Sequence, residues 1–194
     1  MLYLPCRPIP VAYVPRRKAM NHRQVPNVTI GVYCVYVDDM LQLRYTTALD
    51  IDKKVSETRL RQIVETVEKM LQCRVCMVCE TCKGYHIYVN KYWYNVTKLY
   101  TLLMKLTRHV PEIDKYQIRL GWDRSETYCG WMIIRVGGKY DTSDINVIQY
   151  EPELCTDDCH RKWIEGVREM IEMCKRFETS EILEMLRLRP VIFR

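Results

Sequence analysis

Phenylalanine is almost missing from this chain: two residues against 14 tyrosines in 194. Its aromatic surface is therefore made of rings that stack and also hydrogen-bond. No apolar run approaches the about 20 residues that a membrane-crossing helix needs, so no such helix is expected. Met1 to Pro15 carries four prolines and no cleavage-like pattern, which argues against an export signal. These absences predict an intracellular, cytoplasmic chain with no membrane partner. No internal repeat or low-complexity segment is visible, so an ordinary packed core is expected, in one domain or one domain with an appendage.

Cysteine, by contrast, is plentiful, with ten residues. Without an export signal, these point to metal ligation, buried thiols or intracellular disulfides rather than a secreted scaffold. A net charge of +6 is compatible with a nucleic-acid partner.

Along the chain, residues 1–27 carry Pro5, Pro8, Pro10, Pro15 and Pro26 with Arg16-Arg17-Lys18. Proline removes backbone donors, so this reads as an extended surface arm. Val28 to Val37 and Gln42 to Asp52 read as strands. Ser56 is placed to cap a helix whose stripe is Leu60, Ile63, Val64, Val67, Met70 and Leu71. Arg74 to Glu80 and Tyr85 to Val89 read as strands joined by Thr81-Cys82-Lys83-Gly84, and Asn95 caps a second helix. Tyr116 to Leu120 and Trp131 to Val136 read as strands around a polar hairpin, with Ile145 to Gln149 as one more. Helices follow Asp157 or Asp158 and span about Ser180 to Leu188. The order predicts an α+β core at 28–150, with a mixed or antiparallel sheet packed by helices, and a helical appendage at 151–194.

Asp50 and Asp52 point the same way from an extended strand, while Leu49 and Ile51 point to the core. Two adjacent like charges are eased by a shared divalent cation, and carboxylates suit Mg²⁺ or Mn²⁺. A solvated acidic turn is the bland alternative. Gly84 precedes Tyr85-His86, where it would let a ligand approach the backbone, with Lys83 in the same turn. A histidine hydrogen-bonded within the sheet is the alternative there. Asp114 opens the next predicted strand, and Arg135 lies within an apolar one, where its charge needs an anionic partner. That partner is either a ligand or a structural carboxylate, Asp50 or Asp114. Lys139 follows Gly137-Gly138 within reach of the same anion.

The order Asp-x-Asp, helix, Lys-Gly-Tyr-His-Ile-Tyr-Val, helix, Ile-Asp and Trp-x-x-x-Arg-x-x-x-Lys resembles the catalytic core of the archaeo-eukaryotic primase superfamily over roughly Val28 to Gln149. The resemblance implies a primase-like core with an RRM-like half, and template-dependent nucleotidyl transfer by a DNA primase or primase-polymerase. It assigns Asp50, Asp52 and Asp114 to two catalytic Mg²⁺ or Mn²⁺ ions, with Asp123 competing for the third place. It assigns His86, Arg135 and Lys139 to the incoming nucleotide, and Lys83, in the turn before His86, is placed with them. The implied partners are a DNA or RNA template and nucleoside triphosphates. The chain has no helicase-type phosphate loop, so a helicase or other replication protein would be a separate chain. The family often has Ser or Thr where Gly84 stands, which leaves the phosphate contacts different here.

Two other readings use the same residues. A metal-dependent nuclease would use Asp52-Lys53-Lys54 as Asp-x-Lys with Asp38 or Asp39, and would have no use for His86 or Asp114. A non-catalytic primase-like subunit would only bind nucleic acid. Rolling-circle nucleases are disfavoured, because His22, His86, His109 and His160 form no His-x-His pair.

Cys73, Cys76, Cys79 and Cys82 recur every third residue, yet a strand sends neighbours at odd separation to opposite faces, which disfavours an iron–sulfur cluster. Cys79 and Cys82 with a following glycine suit a zinc turn, completed by Cys155 and Cys159 or His160. Disulfides and free thiols remain the other states.

Overall fold

The computed structural model describes residues 5–14, 28–127, 131–137 and 145–192. It is a mixed α+β structure with five α-helices among the described residues. The sheet that positions the acidic residues contains β5 (Ala48–Ile51), β6 (Val75–Glu80), β7 (Tyr85–Val89) and β9 (Asn146–Tyr150), in the spatial order β5-β7-β6-β9. All its neighbours are antiparallel.

Helix α1 (Glu57–Leu71) connects β5 to β6, and α2 (Val96–His109) follows β7. The Ser56 hydroxyl accepts from the Arg59 N–H and the Asn95 side chain from the Lys98 N–H, so each helix begins where its cap stands. Each buries one stripe: Ile63, Val67 and Leu71 on α1, and Leu99, Leu103 and Leu106 on α2. Each such fully buried aliphatic side chain stabilises the fold by about 1.5–3 kcal/mol relative to exposure. After α2, Ile113 bridges back to Ile51. The sequence βαββα followed by a pairing segment, spatially Ile113-β5-β7-β6, is the arrangement of a split βαβ unit.

A second sheet has the order β10-β1-β2-β8, built from β1 (Pro10–Val14), β2 (Thr29–Tyr33), β8 (Ile133–Gly137) and β10 (Val191–Ile192). Its pairs are antiparallel except β1 with β10. The small hairpin β3 (Val35–Val37) and β4 (Leu43–Tyr45) lies between the sheets in sequence, so the two strands expected at 28–37 and 42–52 each split in two. The breaks fall at Cys34 and at Thr46-Thr47. There the Cys34 N–H reaches the Met132 carbonyl and the Thr46 N–H reaches the Cys34 carbonyl.

Two expectations are corrected. The proline-rich segment is not wholly a surface arm: β1 lies between β10 and β2 with Val11, Ala12 and Val14 buried. Pro10 occupies the first strand position, where a missing donor costs least. Arg16, Arg17 and Lys18 lie outside the described residues. The strand expected from Tyr116 to Leu120 is instead helix α3 (Lys115–Thr127). The Asp114 carboxylate accepts the Tyr116 N–H at 2.8 Å and starts the helix, which buries Ile118.

Helix α4 (Asp158–Arg176), capped by Asp157, packs on β8, and α5 (Thr179–Met185) leads to β10. Trp163 of α4 is fully buried beside Tyr36, Tyr88 and His160, and forms the aromatic centre of the core. No helix among the described residues is long and apolar enough to cross a membrane.

Candidate functional site

Ile51 and Ile113 face each other across an antiparallel bridge and are both buried. The Asp114 N–H donates to the Asp50 carbonyl at 2.8 Å, and the Asp52 N–H to the Glu112 carbonyl at 3.3 Å. With the isoleucines turned inward, alternation puts Asp50, Asp52, Glu112 and Asp114 on the opposite face. Asp50 and Asp114 are half-buried and Asp52 is exposed.

On its other side Asp50 is the register partner of His86, which in turn pairs with Cys79. One row across the sheet therefore reads Asp114, Asp50, His86, Cys79. His86 Nε2 lies 3.7 Å from Asp50 Oδ1, and the ring is buried.

Glu112 is a fourth carboxylate that sequence reasoning missed. Arg59 grips it in a two-pronged pair at 2.8 and 3.0 Å, which holds its carboxyl below the usual range. That pairing removes Glu112 from competition for a cation and ties α1 to the acidic edge.

The three predicted metal-binding carboxylates share this edge but do not converge on one point. Among the described residues, the His/Cys/Asp/Glu group whose ligand atoms all lie within 4.8 Å of one another is Cys6, Asp39 and Cys159. Asp114 spends one oxygen on the Tyr116 N–H. Asp50 and Asp52, one half-buried and one exposed on the same face, are hard oxygen donors that suit Mg²⁺ or Mn²⁺, ions that keep part of their water shell.

Basic and tyrosine side chains of the second sheet share an electrostatic environment with Asp50. Arg135 of β8 is half-buried and shares a register row with Gly31 of β2. Burial pushes the Tyr13 phenol up to about 12, against the pull of Arg135 and Arg124, while Asp50 adds to the rise. Burial also raises Tyr88 well above the ordinary phenol, with Asp50 adding to the rise and Arg135 opposing it. Arg135 and Asp50 thus act on the same two tyrosines from opposite sheets. Arg124 joins them from α3; burial lowers its pKa, and Tyr33, Tyr13 and Tyr116 counter that shift. Sequence reasoning missed Arg124 because it depended on α3, which the Tyr116–Leu120 pattern disguised as a strand.

Gly84 has a different use from the one expected. A Cβ there would sit 1.7 Å from the Ile51 carbonyl oxygen, so the glycine admits the neighbouring strand rather than a phosphate. Thr81 Oγ1 accepts the N–H groups of Lys83 and Gly84 and closes the turn, leaving Lys83 exposed. Lys139 lies outside the described residues.

The expected zinc ligands are dispersed. Cys159 is bonded to Cys6, and Cys155 lies against Cys76, to which it is hydrogen-bonded. Cys79 is buried, with burial raising its thiol to about 12, whereas Cys82 is exposed. The turn that was to bring Cys79 and Cys82 together is closed by Thr81 instead.

The nuclease constellation is not assembled either. Lys54 is paired with Glu80 at 2.5 Å and lies over the Tyr85 ring, while Asp38 is buried in an ion pair with Arg44 on the β3–β4 hairpin. A separate cleft of about 710 Å³, lined in part by Tyr150, Arg168, Met173 and Phe177, opens beside β9, at the other edge of the first sheet.

In comparisons with known proteins, no family model, no curated protein and no solved structure matches the chain.

Proposed function

We propose that this chain is a template-dependent nucleotidyltransferase of the DNA primase or primase-polymerase kind. The observation that carries the reading is the Ile51–Ile113 bridge, which sets Asp114 beside Asp50 while His86 flanks Asp50 on the other side. Asp114, Asp50 and His86 thereby share one row across the sheet, with Asp52 next along the Asp50 face. Arg135 of the second sheet acts electrostatically on the same two tyrosines, Tyr13 and Tyr88, as Asp50 does.

In this reading Asp50, Asp52 and Asp114 hold two Mg²⁺ or Mn²⁺ ions. When bound, these ions lower the pKa of a 3′-hydroxyl and neutralise charge on the α-phosphate and departing pyrophosphate. Asp114 would complete the ion-holding set while one of its oxygens accepts the Tyr116 N–H. His86, with Asp50 beside it, donates from its ring to a nucleotide phosphate oxygen. Arg135, together with Lys139 and Lys83, neutralises the triphosphate, and the half-buried Tyr13 and Tyr33 offer ring faces to bases. The template is DNA or RNA, and unwinding falls to a separate helicase or another replication protein.

The test is extension of a labelled primer with nucleoside triphosphates and Mn²⁺, comparing the natural chain with Asp50→Ala/Asp52→Ala. Incorporation that the double variant abolishes supports the reading. No incorporation on any template overturns it and leaves the non-catalytic nucleic-acid-binding reading, which the Tyr13, Tyr33 and Arg135 surface would equally serve. The pairing of Lys54 with Glu80 weighs against a nuclease using Asp-x-Lys.

A further inference from the structure

Away from the acidic edge, three distant segments meet. Cys6 precedes β1, Asp39 sits in the β3–β4 turn, and Cys159 lies in the first turn of α4, 153 residues from Cys6. Contacts that do not involve sulfur hold each in place. The Cys6 N–H donates to the Val37 carbonyl at 2.7 Å. Pro8 packs against Gly166 of α4 so closely that a Cβ there would lie 2.6 Å from the proline ring. Asp38 accepts the Met40 and Gln42 N–H groups at 2.9 and 2.8 Å, which fixes the turn carrying Asp39. The gathering is therefore a property of the fold and does not depend on the bond between the cysteines.

The structure joins Cys6 to Cys159 as a disulfide, and Asp39 Oδ1 lies 3.3 Å from Cys6 Sγ. A disulfide sulfur has no proton to give, so the oxidised state offers that oxygen nothing at this contact. Reduced, the same sulfur either donates its S–H to the carboxylate or shares a cation with it. Cys159 is also favourably placed as a thiolate, since the first-turn N–H groups and the dipole of α4 stabilise negative charge. Cys6 and Cys159 are both buried, which leaves the exposed Asp39 as the side open to solvent.

We propose that Cys6, Cys159 and Asp39 form a redox-gated zinc site, closed as a disulfide and opened by a dithiol reductant. The reductant's two thiols transfer their electrons to the Cys6–Cys159 bond, leaving two cysteine thiols and the reductant's own cyclic disulfide. Zn²⁺ then replaces the two S–H protons, which pass to solvent, and binds two thiolates and the Asp39 carboxylate. Water takes the fourth position on the solvent side. Two sulfurs and one carboxylate select zinc over Mg²⁺ or Ca²⁺, which prefer all-oxygen ligands. The disulfide ties the segment before β1 to α4; the metal-bound state would tie it to the hairpin as well, through Asp39.

Co²⁺ is the probe, because its thiolate charge-transfer absorption counts bound sulfurs. The full chain, reduced with a phosphine under anaerobic conditions, should bind one Co²⁺ with a two-thiolate signature that Zn²⁺ displaces. The oxidised chain should show none. Cys6→Ser and Cys159→Ser should each lose the signature, and Asp39→Asn should weaken binding at least tenfold. Asp39 is exposed, so Asp39→Asn is the variant that tests the site without the fold. Its recovery of the disulfide on reoxidation, read by thiol titration, verifies that the cysteines still meet. Reduced chain that binds no more Co²⁺ than oxidised chain overturns the proposal. So does binding that ignores Asp39→Asn, or binding that is lost in Cys82→Ser.

Discussion

His86 and His160 are both buried, yet their surroundings differ in kind. His160 faces a backbone carbonyl and a phenol: its Nε2 meets the Val89 oxygen at 2.9 Å and its Nδ1 the Tyr36 hydroxyl at 3.3 Å. Trp163 stacks on it at 5.9 Å, and burial lowers its pKa to about 4. His86 instead has the half-buried carboxylate of Asp50 as register partner. The lesson is that burial alone does not separate a structural histidine from a chemical one. A ring enclosed by neutral partners is held uncharged as part of the core. A ring beside an accessible carboxylate can meet a charged ligand without paying the full cost of isolation.

Breaking one region should affect chemistry and breaking the other stability. The largest effect is expected for Asp50→Ala/Asp52→Ala, with primer extension falling by at least about 10³-fold, near 4 kcal/mol of transition-state stabilisation. Its denaturation midpoint should stay close to that of the natural chain. Trp163→Ala, in the contrasting region, should cost about 3–5 kcal/mol in urea or guanidinium unfolding, because the fully buried indole has Tyr36, Tyr88 and His160 as neighbours. A Trp163→Ala chain of unchanged stability would show that the aromatic centre is not the core.

His160 sharpens the contrast through pH. Its folded value of about 4 lies below the unfolded 6.5, so on acidification the unfolded chain takes up the proton first. This residue's effect is absent above about 6.5, grows as pH falls to 4 and then levels off, reaching a loss of about 3 kcal/mol. Unfolding curves across that window should show the decline, and His160→Gln should flatten it. A smaller effect belongs to Ser56→Ala, which removes the α1 cap and should cost about 1 kcal/mol with extension unchanged. The smallest is Lys54→Ala, which breaks the half-exposed pair with Glu80 and should cost under about 1 kcal/mol. Any loss of nucleic-acid cleavage in that variant would revive the nuclease alternative.

Much of the first sheet was legible from local signals. Ser56 and Asn95 each cap a helix whose apolar residues recur at helical spacing, and Thr81 to Gly84 is a turn between two β-branched runs. Once Asp50 and His86 stand on strands, their meeting requires only that the strands pair. The rest needed tertiary information. Tyr116 and Ile118 favour strands by type, and nothing local reveals that Asp114 will cap a helix with the carboxylate assigned to metal. Pro5, Pro8 and Pro10 hid β1, because a proline at a first strand position looks like one that forbids the strand. The Cys6–Cys159 bond joins residues 153 apart, while Cys79-x-x-Cys82 suggested Cys159 as a distant ligand to a zinc ion. Arg124 was invisible until α3 carried it toward Tyr13 and Tyr33.

The pairing of β1 with β10 has a consequence in time. Residues 48–114 contain everything needed for β5, β7, β6, the Ile51–Ile113 bridge and the Asp114 contact, so the acidic edge and His86 can form from one continuous stretch. The second sheet draws on residues 10–14, 29–33, 133–137 and 191–192, contacts whose loop-closure cost is met late. A nascent chain can therefore hold the carboxylates and histidine in register while Arg135 and the Tyr13 strand still await their partners. The two halves of the proposed site mature in order, the acidic half first.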